Sequence, residues 1–482
     1  MSQLRRSVLL SGFSQYAVLI LGFGKVAVIS RVLSPAEVGT YTMASVLIFL
    51  TVVFREVGTR DFLIAERDLT EEKRRASFTI LITMGAVTSI LFFLLRNVFE
   101  GFFNAPELAG MMMVIAPAFV VNSVTAVWVA MLQREMDFRT LAYLQIFPTI
   151  LDLTVSLSLI YLGYGLISLG WGYLASVSLV SLVIMVRQRG KIFYRPRFKE
   201  IPYVLRFGLQ ASGATLLNNV GSYAPALLLG WAMNAAAVGY FGRGQTLITF
   251  ARQGVEVATR PVTQAWFAQN SHHDIGEAGK IYLQITRMIA GVAWPFYVFI
   301  YFHAATLIPY AFGPQWTISV PLAQVLALGG MFSFFAVSGT SFLTGRGEVT
   351  VAFWFNFSSL VLRLSILFVG LNYGLTGFVW AIAISHFLGF VLLGAFLNRA
   401  AGLAFGAYLA NLLPGAALAS CTALVNYVLI RLVYHSDTLG LWPFVVVVLA
   451  NVVTYVVALI VTGHPLYAEL KTILGRRIGR SG

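Results

Sequence analysis

"EVGTR" (residues 56–60) and "EVATR" (residues 256–260) stand 200 positions apart. Without a gap, the same offset aligns Arg6 with Arg206, Val38 and Gly39 with Val238 and Gly239, Tyr41 with Phe241, and Leu47 and Ile48 with Leu247 and Ile248. Further on, at an offset of 209, "YGLISLGW" (164–171) answers "YGLTGFVW" (373–380). One such coincidence is cheap, but an ordered series is not. The second half of the chain repeats the first.

What repeats is a set of membrane spans. A soluble domain carries about 25% charged residues, whereas this chain of 482 residues has 11% charged and 58% hydrophobic. Apolar runs near or above the roughly 20 residues that cross a bilayer fall at 7–32, 38–54, 77–95, 109–132, 141–162, 166–186, 203–230, 236–257, 283–311, 317–343, 350–370, 375–397, 405–433 and 440–462. The first run follows Arg5 and Arg6 and continues past Leu21 without a small-residue cleavage site, so it reads as a retained helix. The expected fold is an all-α polytopic membrane protein of about 14 transmembrane helices. Six spans per copy is an even number, so both copies enter the membrane in the same sense. That makes two six-helix lobes related by a pseudo-two-fold along the membrane normal, plus two extra C-terminal helices as an appendage. The corresponding divisions are an N-terminal lobe at 1–187, a basic cytoplasmic linker at 188–202, a C-terminal lobe at 203–398, and helices 13–14 with a basic tail at 399–482.

Charge orients the chain. With the N-terminus in the cytoplasm, 27 of the 33 Lys and Arg lie on that side, and only Arg31, Arg96 and Arg431 lie opposite. This predicts cytoplasmic N- and C-termini in a bacterial inner membrane. It also explains a net charge of +14 by attraction to anionic membrane lipids, without nucleic acid. The single cysteine, Cys421, excludes an intrachain disulfide framework and a cysteine metal cluster.

In each pentapeptide the Glu precedes the Arg by four residues, the favourable order for a helical ion pair. Glu56–Arg60 and Glu256–Arg260 therefore read as structural caps near span ends, or as symmetry-related anion contacts at a cytoplasmic mouth that Arg55 and Arg252 share.

Five stretches in order, "SRVLSPAEVGTY" (30–41), "LQREMDFRTLA" (132–142), "LRFGLQASGATLLNN" (205–219), "VGYFGRGQTL" (238–247) and "GPQWTISVPLAQVLALGG" (313–330), resemble the polysaccharide transporter family. These are the Wzx-type oligosaccharide flippases of the superfamily that also holds drug extruders and lipid II flippases. The resemblance covers spans one to twelve. It implies two lobes around a cationic cavity that carries a polyprenyl-diphosphate-linked oligosaccharide from the cytoplasmic to the periplasmic leaflet, with a groove for the lipid tail at spans thirteen and fourteen. A polysaccharide polymerase and glycosyltransferases are the expected neighbours in that synthesis.

Charges inside spans cost about 2.5–3.5 kcal/mol on insertion scales and usually face a cavity or a partner. Lys25 continues a stripe of Ser11, Gln15 and Gly22 on one face of the first span, and Arg243, Thr246, Thr249, Gln253, Glu256 and Arg260 follow one face of the eighth. Gln210, Asn218 and Ser222 mark the seventh. Each stripe reads either as a cavity lining or as a polar seam between helices. Against a diphosphate, Arg offers bidentate donors and Lys a point charge. The expected substrate contacts are therefore Lys25, Arg243, Gln210, Asn218, Gln253 and Arg363. Asp152 has two readings, a latch to Arg363 or a carrier of a coupling ion, and Glu56 and Glu256 are further carboxylates of the second kind.

Other signals weigh little. "SHHDIG" (271–276) reads as a solvated loop rather than a metal site, and "GFGK" (22–25) and "GRGQ" (242–245) lack P-loop spacing, so no cofactor and no nucleotide hydrolysis are expected. Two alternatives to a flippase stand. A drug antiporter would want more deep carboxylates. A membrane glycosyltransferase or polymerase would want a sizeable periplasmic loop, and the longest outward loops here fall near 96–108 and 434–439.

Overall fold

The structure, a computed structural model, describes residues 2–56, 58–188, 194–270, 275–434 and 440–467. Among these the regular structure is all helix, without a strand. The helices are α1 (Ser2–Val32), α2 (Pro35–Glu56), α3 (Thr59–Ala65), α4 (Glu71–Leu94), α5 (Arg96–Phe103), α6 (Leu108–Arg134), α7 (Phe138–Tyr161), α8 (Ile167–Arg187), α9 (Ile201–Ala232), α10 (Ala235–Asn270), α11 (Ile275–Phe312), α12 (Ser319–Gly345), α13 (Val349–Leu371), α14 (Gly374–Ala401), α15 (Phe405–Val428) and α16 (Leu441–Val461). Each of the fourteen apolar runs falls on one helix, and α15 runs on into a π-helical stretch at Leu429–Tyr434. Among the described residues, twelve helices are long and apolar enough to cross a membrane. Parts of α9 and α10 lie outside the described residues, and neither is among the twelve. The segment after α4, expected as a loop near 96–108, is not a loop throughout, because α5 occupies most of it.

Local sequence explains where the repeated elements start. Ser34 and Glu37 form a reciprocal box at the head of α2: the Ser34 N–H donates to Glu37 Oε2 at 2.7 Å, and the Glu37 N–H to Ser34 Oγ at 3.3 Å. The duplicate position, Asn234, caps α10 by accepting from the Ala237 N–H at 2.8 Å. Between these two starts the copies touch their own equivalents. A Cβ added to Gly39 would stand 1.6 Å from the Ala235 carbonyl oxygen, and one added to Gly239 would stand 2.1 Å from that of Pro35. Such a reciprocal exchange, 39 on 235 and 239 on 35, is the signature of a two-fold relation.

The chain divides into two compact units, Met1–Gly242 and Arg243–Gly482. In the first, α4, α6 and α8 pack side by side, α7 lies on α8, and α1 lies on α7. α9 belongs by sequence to the second copy yet packs on α2, α3 and α4. In lipid, helix association rests on close packing rather than on the hydrophobic effect, and small residues permit it here. A Cβ on Gly85 of α4 would meet Ser123 Oγ of α6 at 2.1 Å. The basic linker is strapped to this unit as well. Tyr194 stacks on Trp128 at 5.6 Å, Thr79 Oγ1 accepts from the Arg197 N–H at 3.1 Å, and the Arg197 guanidinium donates to Glu72 at 2.8 Å.

In the second unit, Tyr282, Phe335, Phe342, Phe355, Leu393 and Tyr408 form the core where α11, α12, α13, α14 and α15 meet. The last two spans are more than an appendage. His303 of α11 is hydrogen-bonded to Asn426 of α15 at 2.6 Å, and Asn426 exchanges hydrogen bonds of 2.8 and 2.9 Å with Asn451 of α16. Tyr455 adds a bond to the Gly291 carbonyl at 3.1 Å. A fully satisfied polar ladder of this kind sets the register of helices inside a membrane, where a slipped polar group would find no water.

Candidate buried cation sites

In the first unit, Lys25 sits on α1 and is 7% exposed. Its Nζ lies 2.5 Å from Asp152 Oδ2 on α7, the helix against which α1 packs. Asp152 Oδ1 accepts from Ser156 Oγ one turn on, at 3.2 Å. Room for the carboxylate comes from Gly172 on α8, where a Cβ would intrude to 2.5 Å from Asp152 Oδ1. The Tyr41 ring of α2 lies 5.9 Å from the ammonium. Asp152 is thus paired with Lys25, a partner within its own unit. Local spacing could not show this, since 127 residues separate the partners.

The helical ion pair expected between Glu56 and Arg60 is absent. α2 ends at Glu56, and α3 starts at Thr59 after Gly58, whose φ of 61° is one that side-chain-bearing residues rarely adopt. A Cβ on Gly58 would stand 2.5 Å from the Gly208 carbonyl oxygen, so the chain turns there to pass α9. Arg60 is consequently exposed and bonds Gln133 Oε1 at 3.0 Å, while Glu56 Oε1 takes Arg55 Nη2 at 3.3 Å. Arg55 is only 1% exposed, and its Nε and Nη1 have no hydrogen-bond partner among the described residues. α3 is then closed by Arg134, a residue of the quoted "LQREMDFRTLA" stretch. Its guanidinium donates to the carbonyls of Leu63, Ile64, Glu66 and Arg67 at 2.5–3.3 Å. Below it, a hydrogen bond from Lys73 holds the Glu66 carboxyl below the usual carboxylate range, and Tyr203 adds a second.

In the second unit, Arg243 of α10 is 5% exposed. Its guanidinium lies 5.3 Å from the Trp316 ring and 5.7 Å from that of Phe312. Trp316 is fully buried in the short 3-10 turn Pro314–Trp316, which Gly313 opens with a φ of 107°. Gly244 next to the arginine lets α10 approach α12, a Cβ there standing 3.2 Å from the Ala323 N. Arg363 of α13 and Arg252 of α10 both lie within electrostatic reach of His386 on α14. Gln253 is exposed. The side chains of Gln210, Asn218, Glu256 and Arg260, and residues 271–274 of the two-histidine loop, lie outside the described residues. Elsewhere no group of three metal-ligating side chains forms among those described.

The structure brings Lys25 to Asp152 and brings Arg363 and Arg252 towards His386. Sequence reading passed over Trp316, His386, Ser156 and Arg134. Trp316 and Arg134 both lay within family-like stretches, whereas His386 and Ser156 gave no signal.

Residues 28–321 match the family described as "Polysaccharide biosynthesis protein". The chain is 20% identical over 465 residues to the lipopolysaccharide biosynthesis protein WzxC of Escherichia coli (strain K12), covering 94% of this chain and 93% of that one. It is 23% identical to the teichuronic acid biosynthesis protein TuaB of Bacillus subtilis (strain 168), covering 70% of each. Among solved structures it is similar to the lipid II flippase MurJ in an inward closed conformation, with a TM-score of 0.73 and 14% identity, covering 96% of this chain and 99% of that one. An inward-facing multidrug resistance MATE transporter follows at a TM-score of 0.63 and 16% identity, covering 84% and 98%. The fold is therefore the two-lobe helical fold of these transporters, and the chain belongs to the polysaccharide biosynthesis protein family.

Proposed function

We propose that this protein is a flippase that moves a polyprenyl-diphosphate-linked oligosaccharide across the bacterial inner membrane by alternating access, from the cytoplasmic to the periplasmic leaflet. It is a transporter and not an enzyme. The observation that carries the reading is the set of cations held deep in apolar helices, Lys25 at 7%, Arg55 at 1% and Arg243 at 5% exposure. A buried cation is costly unless it serves a partner, and a diphosphate is an anion that such groups complement by charge-assisted hydrogen bonds. Arg55 supports this most directly, because two of its buried donors stand without a described partner. Family membership supplies the substrate class.

The rest of the reading extends the sequence expectations. Both termini face the cytoplasm, all fourteen apolar helices cross the membrane, and the lobes divide near the basic linker. Lys25, Arg243, Arg363, Gln210, Asn218 and Gln253 are the substrate contacts, and Arg55, Arg60, Arg252 and Arg260 are the cations of the cytoplasmic mouth. Asp152, with Glu56 and Glu256, bears on coupling: once an anion takes Lys25, the Asp152 carboxylate loses its partner and becomes a place for a proton or cation. An inside-negative potential drives each outward-moving negative charge by about 2.3 kcal/mol per 100 mV. A polymerase and glycosyltransferases act beside it.

The test is a deletion strain that has lost surface polysaccharide. Restored wild type should return the polysaccharide, and Arg55→Ala or Arg243→Ala should leave lipid-linked oligosaccharide accumulating on the cytoplasmic leaflet. A deletion strain that makes no lipid-linked oligosaccharide at all would instead point to an enzyme of synthesis.

A further inference from the structure

The duplication carries a second pair of sites, away from the buried cations. Each unit holds one cavity where the fifth helix of its copy begins and the sixth ends. In the first unit, a cavity of about 440 Å³ is lined by Asp137, Thr140, Tyr143 and Arg187. In the second, a cavity of about 630 Å³ is lined by Glu348, Thr350, Trp354, Phe396 and Arg399. Asp137 caps α7 and Glu348 occupies the N-cap position of α13. In both cavities a threonine lies in the first turn, an aromatic ring in the second, and an arginine in the last turn of the following helix. The matched residues are offset by 210 to 212 positions, continuous with the offset of 209 farther along.

The two cavities are wired differently. Arg187 donates to Asp137 Oδ2 at 2.9 Å and to Thr140 Oγ1 at 2.7 Å, and Thr140 passes a 2.7 Å bond to the same carboxylate. The carboxylate of the first cavity is thus held by its own arginine, and the second guanidinium there, Arg139, lies over the Tyr143 ring at 5.9 Å. In the second, Glu348 and Arg399 form no ion pair with one another or with any other described residue. One cavity thus presents a carboxylate, a guanidinium and an indole together.

A carboxylate and a guanidinium lining one cavity match a ligand that carries an ammonium and a phosphate. Position says that this ligand is a lipid. The membrane-crossing stretch of α13 begins at Val349, so the cavity lies at head-group level. Trp354 is 53% exposed there, the placement of a membrane-interface tryptophan. Phe357 and Val361 continue its face at helical spacing and are also exposed, 41% and 48%. Trp354 and Phe357 meet edge to face at 5.8 Å. An apolar wall therefore leads from the charged cavity into the hydrocarbon, which a free solute would not use.

We propose that the Glu348–Arg399 cavity binds the head group of a zwitterionic phospholipid. The phosphate sits on Arg399, the ammonium on Glu348 and the Trp354 face, and an acyl chain runs along Phe357 and Val361. The first cavity, whose carboxylate Arg187 already holds, has none to offer the ammonium.

Native mass spectrometry of the full chain, loaded with phosphatidylethanolamine or phosphatidylglycerol, tests this. Wild type should retain phosphatidylethanolamine in preference, since phosphatidylglycerol has no ammonium. Arg399→Ala should weaken retention of both lipids about tenfold, the loss of one charge-assisted hydrogen bond, and Arg399→Lys should recover part of it. Glu348→Gln should erase the preference while keeping phosphate binding. Asp137→Asn should change neither. Because Arg399 is exposed, its variants should unfold at the wild-type temperature. Equal retention of both lipids by wild type, or unchanged phosphatidylethanolamine retention in a folded Arg399→Ala variant, overturns the assignment.

Discussion

Lys25 and Arg243 are both nearly buried cations in apolar helices, but each unit holds its cation in a different way. Lys25 is matched by a carboxylate at 2.5 Å, whereas Arg243 lies against the faces of Trp316 and Phe312 at 5.3 and 5.7 Å. The first arrangement is a charge-matched pair whose halves each depend on the other. The second is a guanidinium lying over rings, where shape matters as well as charge. One duplicated scaffold therefore stabilises charge in lipid by two routes, and the routes fail differently.

The largest effect should come from breaking the pair. Truncating one partner of a buried ion pair costs about 3–5 kcal/mol, because the other charge is left buried and unpaired. Lys25→Ala should therefore reduce the amount of folded protein in the membrane as well as surface polysaccharide. Lys25→Ala/Asp152→Asn should recover the abundance without the polysaccharide. If Lys25→Ala alone kept full abundance, the pair would not be what stabilises Lys25, and the contrast with Arg243 would collapse.

Arg243→Ala should lose transport. A desolvated cation–π contact contributes about 2 kcal/mol, so loss of the Trp316 and Phe312 contacts should also lower the unfolding temperature. Arg243→Lys keeps the charge but not the plane. It should transport less than wild type in proteoliposomes, whereas Lys25→Arg should keep more of its activity. Equal activity of the two conservative variants would show that the rings are packing and not a seat for the guanidinium.

Much of this architecture was legible in the sequence, because a membrane makes span length and charge placement explicit. Fourteen apolar runs fell on fourteen helices for that reason. The repeat at Gly39 and Gly239 announced the two-fold that their reciprocal contact displays. What stayed hidden was decided by partners far along the chain. Glu56 and Arg60 are spaced as well for a helix as Glu256 and Arg260, and only the approach of Gly208 to Gly58 turns the chain between them. Lys25 looked like a lone cation because its carboxylate lies on α7. The packing of α9 on α2, α3 and α4, and the His303–Asn426–Asn451 ladder, were equally beyond local spacing.

The smallest effect concerns the two interfacial cavities, and pH separates them. Burial pushes the Asp137 carboxyl up, but hydrogen bonds from Thr140 and the Arg187 guanidinium more than offset this and hold it below its ordinary value. With the folded value depressed, the contribution to stability is complete above the unfolded value of about 3.9 and disappears as pH falls through the folded one. The two side chains are 28% and 49% exposed, so solvent screening limits the pair to about 1 kcal/mol or less. Asp137→Asn should therefore lower the unfolding temperature slightly at pH 7, and the variant and wild type should converge as the pH is brought below about 3.9. Glu348 makes no such pair, so Glu348→Gln should unfold at the wild-type temperature at pH 7. A Glu348→Gln variant that loses as much stability at pH 7 as Asp137→Asn would mean that the second cavity is closed by its own charges too, and that no vacancy distinguishes it from the first.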